Sequence, residues 1–152
     1  MRYVLDSNII IFYIRDTETR AFIESSYAPF AADNTAIISI VTVAEVMATA
    51  KKNDWGEKKL KVIQKLLDSL VIVEIRYADL IDAYVEIDTY SQGKLKDRPL
   101  KVSARNMGKN DLWIAATAYV TGSRLITADK DFEHLHGDFF EVIHIESKNV
   151  ES

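Results

Sequence analysis

Arg2-Tyr3-Val4-Leu5-Asp6-Ser7-Asn8-Ile9-Ile10-Ile11-Phe12-Tyr13-Ile14 carries the chain from an extended run into a helical one across a single polar turn. Residues 2–5 read as a short strand buried on both faces, the kind found in parallel sheets. The apolar run at 9–14 continues as a helix. Between them, Asp6, Ser7 and Asn8 set three oxygen-bearing side chains at one turn. Such a turn caps a helix, or it binds a hard cation directly and through water.

The same alternation repeats outward. Residues 19–27 are weakly helical, 36–40 read as a second buried strand, and a helix runs over 43–52. After Asp54-Trp55-Gly56, residues 58–70 resume helical spacing with Leu60, Ile63, Leu66, Leu67 and Leu70 on one side. A β-branched run at 71–75 is a strand. A helix over 77–90 carries Leu80, Ile81, Tyr84, Val85 and Ile87 as apolar positions, and Gly93 stops it. Asn110 reads as the N-cap of a helix over 111–121, ended by Gly122. Strands follow at 124–127 and 141–145, with a short turn or helix over 131–135 between them. Strands alternating with helices predict a mostly parallel sheet covered on both faces. The expected organisation is one domain over 1–147 and a polar tail over 148–152.

Of the 152 residues, 48% are hydrophobic, enough for a packed core. No run is long or apolar enough to span a bilayer, and Met1 to Asp6 lack the apolar stretch of a secretory signal. With no cysteine, disulfides and thiolate zinc sites are excluded, which fits a cytoplasmic setting. The net charge of −4 argues against nucleic-acid binding by global electrostatics and leaves only a local patch or a bound cation for that task.

Four acids fall at predicted strand ends or helix starts. Asp6 follows the first strand. Thr42-Val43-Ala44-Glu45 matches a capping box, with Thr42 as cap and Glu45 reaching back to it. Asp111 opens a helix whose Leu112, Ile114, Ala115, Ala116 and Ala118 leave almost no polar face. Leu125-Ile126-Thr127-Ala128-Asp129-Lys130-Asp131-Phe132 ends a strand in an acidic loop, where Asp129 is the first candidate and Asp131 suits a cap of the short helix behind it. In an open parallel sheet the ligand crevice lies outside the carboxyl ends of the strands. All four acids can meet there, and carboxylates that close repel one another unless a cation sits among them.

These stretches, in this order, resemble the PIN-domain nuclease family and within it the VapC-type toxin ribonucleases. The resemblance covers nearly the whole chain. It implies a three-layer α/β/α sandwich with a central parallel sheet, and a magnesium- or manganese-dependent endoribonuclease. It places catalytic roles on Asp6, Glu45, Asp111 and Asp129, with Asp131 as neighbour or substitute, and direct metal ligation on Asp6 and Asp111. Ser7 and Thr127 match polar positions at the family's site, and Asn8 and Asn110 stand beside its acids. It further implies a homodimer silenced by a small antitoxin. Alternatives are an RNA-processing PIN nuclease without an antitoxin, and an inactive PIN-like module that binds RNA or protein.

Oxygen donors suit Mg²⁺ or Mn²⁺, and the expected reaction is hydrolysis of an RNA phosphodiester to a 5′-phosphate and a 3′-hydroxyl. Residues 94–109 hold Lys94, Lys96, Arg98, Lys101, Arg105 and Lys109 against Asp97 alone. They form either a solvated loop or an arm that tracks RNA phosphates toward Asp111, with Arg98, Lys101, Arg105 and Lys109 as contacts. His134 and His136 read as surface residues, His144 as structural, and Trp55 and Trp113 as packing.

Overall fold

The computed structural model describes residues 1–148; the expected tail, apart from Lys148, lies outside them. Strands β1 (Arg2–Leu5), β2 (Thr35–Ser39), β3 (Val71–Val73), β4 (Arg124–Thr127) and β5 (Val142–His144) form one sheet in the order β3-β2-β1-β4-β5. Every pairing is parallel. Helices α1 (Ser7–Arg15), α2 (Thr17–Ser26), α3 (Ile40–Lys52) and α4 (Glu57–Asp68) connect β1 to β2 to β3. Helices α5 (Ala78–Ser91) and α6 (Lys109–Val120) lead back across the sheet to β4, and a 3-10 helix (Lys130–Leu135) leads on to β5.

The strand pleat sorts the core into two layers. Tyr3 and Leu5 of β1, Ala36 and Ile38 of β2 and Ile126 of β4 pack with residues of α1 to α4. Val4, Ile37 and Leu125, one residue out of phase, pack with α5, α6 and Phe132 and Leu135 of the 3-10 helix. Each central strand is therefore apolar on both sides, which is why it reads as an unbroken run rather than an alternating one. Ala115, Ala116 and Ala118 are fully buried and give α6 a slim surface for close contact with the sheet and α5.

The chain winds from β1 through β2 to β3 in one direction, then returns to lay β4 on the other side of β1. The carboxyl ends of β1 and β4 thus flank the point where the winding reverses, the place where open α/β sheets leave a crevice. The Asp6 N–H donates to the Ile126 carbonyl at 3.0 Å, so the turn after β1 is stitched directly to β4.

Local signals misplaced two helix starts. Ser39, not Thr42, caps α3: its hydroxyl accepts from the Val41 N–H at 3.2 Å. The capping box is absent, because Thr42 and Glu45 already lie inside the helix. Gly108, not Asn110, precedes α6, and no side chain caps it. The apolar faces of α4 and α5 are also narrower than their spacing suggested. Ile63, Leu66, Leu80, Ala83 and Ile87 are buried, while Leu60, Ile81 and Val85 are exposed. His134 is a further correction. It is buried, with Nε2 2.8 Å from Ser91 Oγ and its ring stacked over Tyr90. Burial first, and then Arg105, lower its pKa to about 4. Packing against Tyr90 and Ser91 of α5, rather than helical spacing from Phe132, turns it inward. Trp113 packs on Tyr84, as expected of a packing residue.

Candidate active site

Asp6 is the N-cap of α1 and is 3% exposed. Its Oδ1 accepts from the Ser7 N–H at 2.8 Å. Its Oδ2 accepts from the Thr127 hydroxyl at 2.7 Å and from Asn8 Nδ2 at 3.3 Å. The capping and ligand readings of this turn are therefore compatible. A carboxylate has about four lone-pair sites, so one oxygen can serve a backbone donor and still face a cation. Burial pushes the Asp6 carboxyl up, and the Thr127 and Ser7 hydrogen bonds oppose that push.

The turn after β4 is wired to the turn after β1. The Thr127 hydroxyl donates to Asp6 and accepts from the Asp129 N–H at 3.0 Å. Asn8 Oδ1 accepts from the Ala128 N–H at 3.1 Å. Asp129 Oδ1 accepts from the Asp131 N–H at 2.9 Å, which makes Asp129 the cap of the 3-10 helix and leaves Asp131 free of that task. Asn8 after one strand and Thr127 at the end of the other thus hold the acidic loop from two sides.

Asp111 arrives from the opposite layer on the first turn of α6. One carboxylate oxygen each from Asp111, Asp129 and Asp131 lie within 4.8 Å of one another. Burial, then the charges of Asp6, Asp129, Asp131 and Glu45, push the Asp111 pKa up to about 7. Glu45 comes from the second turn of α3. Burial, and after it the Asp6 charge, raises its pKa, while the side chains of Asn110 and Ser7 oppose the rise. Its Oε1 is buried without a hydrogen-bond partner, as is Oγ1 of Thr42 one turn earlier. Glu45, Lys109, Asn110 and Asp111 line a cleft of about 470 Å³ open to solvent.

All four expected acids therefore meet at one end of the sheet, and Asp131 joins them in the tightest group. The donor set is entirely oxygen, it concentrates negative charge without a compensating side chain among its closest members, and it holds an orphaned buried carboxylate oxygen. That chemistry fits a hard divalent cation such as Mg²⁺ or Mn²⁺. The basic segment divides. Arg98 donates to the Asp138 carbonyl at 3.1 Å and lies 4.4 Å from the centre of the Phe139 ring, so its charge is anchored to the fold. Arg105 lies beside His134, whereas Lys101 and Lys109 are exposed. Thr42, fully buried one turn before Glu45, carries no sequence signal beyond the capping pattern.

The sequence pattern of the PIN domain matches residues 3–137. Ribonuclease VapC2 of Haemophilus influenzae strain Rd is 28% identical over 139 residues, covering 89% of this chain and 92% of that protein. Among solved structures, VapBC2 from Rickettsia felis, bound to a promoter DNA fragment, superposes with a TM-score of 0.75 at 22% identity, covering 96% of this chain and all of the matched one. A toxin-antitoxin complex from Klebsiella pneumoniae superposes with a TM-score of 0.63 at 25% identity, covering 93% and 95% of the two chains. With the acids that follow β1 and β4 and those on α3 and α6 gathered at the crevice, and the match running over most of its length, the chain belongs to the PIN domain family.

Proposed function

We propose that this protein is a divalent-metal-dependent endoribonuclease that hydrolyses RNA phosphodiester bonds, acting from a single domain over residues 1–147 as the toxin of a toxin–antitoxin pair. The observation that carries the chemistry is the packing of Asp111, Asp129 and Asp131 oxygens within 4.8 Å beside a desolvated Asp111. The pairing with an antitoxin rests on the likeness to VapC ribonucleases and to toxin–antitoxin complexes.

Asp111, Asp129 and Asp131 would hold Mg²⁺ or Mn²⁺, with Asp6 behind them as a further oxygen ligand. A bound ion of this kind polarises the phosphate and makes a coordinated water acidic enough to attack at neutral pH. The protein's own groups do the rest. Glu45 keeps Oε1 free of hydrogen bonds, so it can orient the attacking water and accept its proton. Its raised pKa improves it as a base. Thr127 and Asn8 fix Asp6 and the 128–129 turn, so the site needs little reorganisation when substrate arrives. Lys101 and Lys109 remain exposed to meet phosphates.

We place the protein in the cytoplasm as a homodimer, with the exposed Ile81 and Val85 of α5 available to a second copy. The test is digestion of total RNA by wild type and by Asp111→Asn, with Mn²⁺ or with chelator, followed by mapping of the ends. Metal-dependent cuts with 5′-phosphate and 3′-hydroxyl ends, lost in the variant, are expected. Cyclic 2′,3′-phosphate ends, or no cleavage with either metal, reject the reading.

A further inference from the structure

A groove of about 710 Å³ adjoins the acidic site on its β5 side and shares Asn8 and Asp129 with it. Its size falls within the roughly 300–1,000 Å³ of small-ligand sites. Phe12, Lys130, His144 and Glu146 are among the other residues that line it. Three of the groups there keep an atom or a face that the fold does not use.

The first is Lys130. It directly follows Asp129, is exposed, and makes no ion pair among the described residues. In a site otherwise dominated by carboxylates it is the cation nearest to the acidic loop in sequence. The second is His144. Its Nε2 lies 3.0 Å from the Ala128 carbonyl. A carbonyl only accepts, so Nε2 carries the hydrogen of that bond, and Nδ1 is the ring nitrogen left without a partner among the described residues. The third is Phe12, half-buried, whose ring borders the groove while its other side packs on the core.

Resting on the nuclease reading above, we infer that this groove seats the nucleotide adjoining the bond that is cut, its base against Phe12, its ribose at His144 Nδ1 and its phosphate at Lys130 Nζ. Continuity with the acidic loop selects this occupant, because a strand whose scissile phosphate lies at Asp129 must continue past it. The three groups match the three parts of a nucleotide: an aromatic face for a base, a ring nitrogen for a hydroxyl and a cation for a phosphate. Glu146, also on the groove, suits ribose hydroxyls and disfavours a second phosphate there, which limits the seat to a single nucleotide.

Lys130→Gln and Phe12→Leu test this without touching the hydrogen bonds that hold the 128–129 turn. Cleavage of a short mixed-sequence single-stranded RNA with Mn²⁺ gives kcat and KM. Anisotropy of the same RNA with Ca²⁺ replacing Mn²⁺ gives affinity against salt. Phe12→Leu is expected to raise KM about tenfold while kcat holds within about twofold. Lys130→Gln is expected to reduce the salt slope by about 0.7, the value for one contact to a single strand. Circular dichroism checks that both variants are folded; should Phe12→Leu fail that check, Lys130→Gln decides alone. Wild type that cuts RNA while its folded variants keep wild-type KM and salt slope overturns the groove assignment and leaves the nuclease reading intact. Wild type that neither cuts nor binds RNA overturns both.

Discussion

Asp6 and Asp111 face the same crevice from opposite layers, yet they are built in opposite ways. Asp6 is embedded in donors: a backbone N–H, a threonine hydroxyl and an asparagine amide all serve its carboxylate. Asp111 sits at an uncapped helix start, and burial together with four neighbouring acids works against its charge. One acid is part of the scaffold as well as of the site. The other is held at a cost that a proton or a cation relieves. Removing the same chemical group should therefore have different consequences at the two positions.

The largest effect separates function from structure. Asp111→Asn should lower RNA cleavage by on the order of 10³-fold, while the metal-free protein melts at a higher temperature than wild type, because a repelled charge is gone. Asp6→Ala should also abolish cleavage, but it strands several buried donors and should cost about 3 kcal/mol of stability. Paired melting curves and cleavage assays check this, and melting shifts of the same sign in both variants would break the contrast. Next, Thr127→Val removes the hydroxyl that joins Asp6 to Asp129. It should reduce cleavage by about 10–100-fold and destabilise by about 1–3 kcal/mol, with Thr127→Ser restoring most of both.

The pH dependence sharpens the contrast further. Folded Asp111 keeps its proton up to about pH 7, whereas its ordinary value is 3.8. Its raised pKa favours the folded state fully below the ordinary value, and that contribution is lost as pH rises through about 7. The metal-free protein should thus melt lower at about pH 8 than at about pH 5.5, and Asp111→Asn should flatten this slope. Deprotonation is also what a cation needs. Mn²⁺ at about 100 times its Kd should stabilise by about 2.7 kcal/mol, and one fixed Mn²⁺ concentration should raise the melting temperature more at the higher pH, where Kd is lower, than at the lower. The smallest effect concerns the basic segment. Lys101→Ala with Lys109→Ala should weaken RNA binding and its salt dependence without changing the melting temperature.

The fold was legible because its central strands are apolar on both faces and each is bounded by polar punctuation, so β1, β2 and β4 stood out in the sequence. The convergence of the acids was legible only through the topology that such strands impose. Helix starts were less so. Thr42 and Asn110 each satisfied a local capping rule, yet Ser39 and Gly108 begin the helices. In both cases the tertiary position of the preceding strand or loop decided where the first turn forms. His134 reads as a surface residue for a related reason: a short 3-10 helix has too little periodicity to show which side faces Tyr90 and Ser91. The joining of Asp6 to Thr127 spans 121 positions, and nothing local announces it.

That joining has a consequence for how the molecule comes to life. Leu5 stands beside Ile126 in the sheet, and the hydroxyl one residue further on meets Asp6 only in this register. A slip of one residue would turn Thr127 to the other face of the pleat. A chain emerging from the ribosome therefore carries no armed centre until its last third has docked, and enzymatic competence becomes a signature of finished assembly.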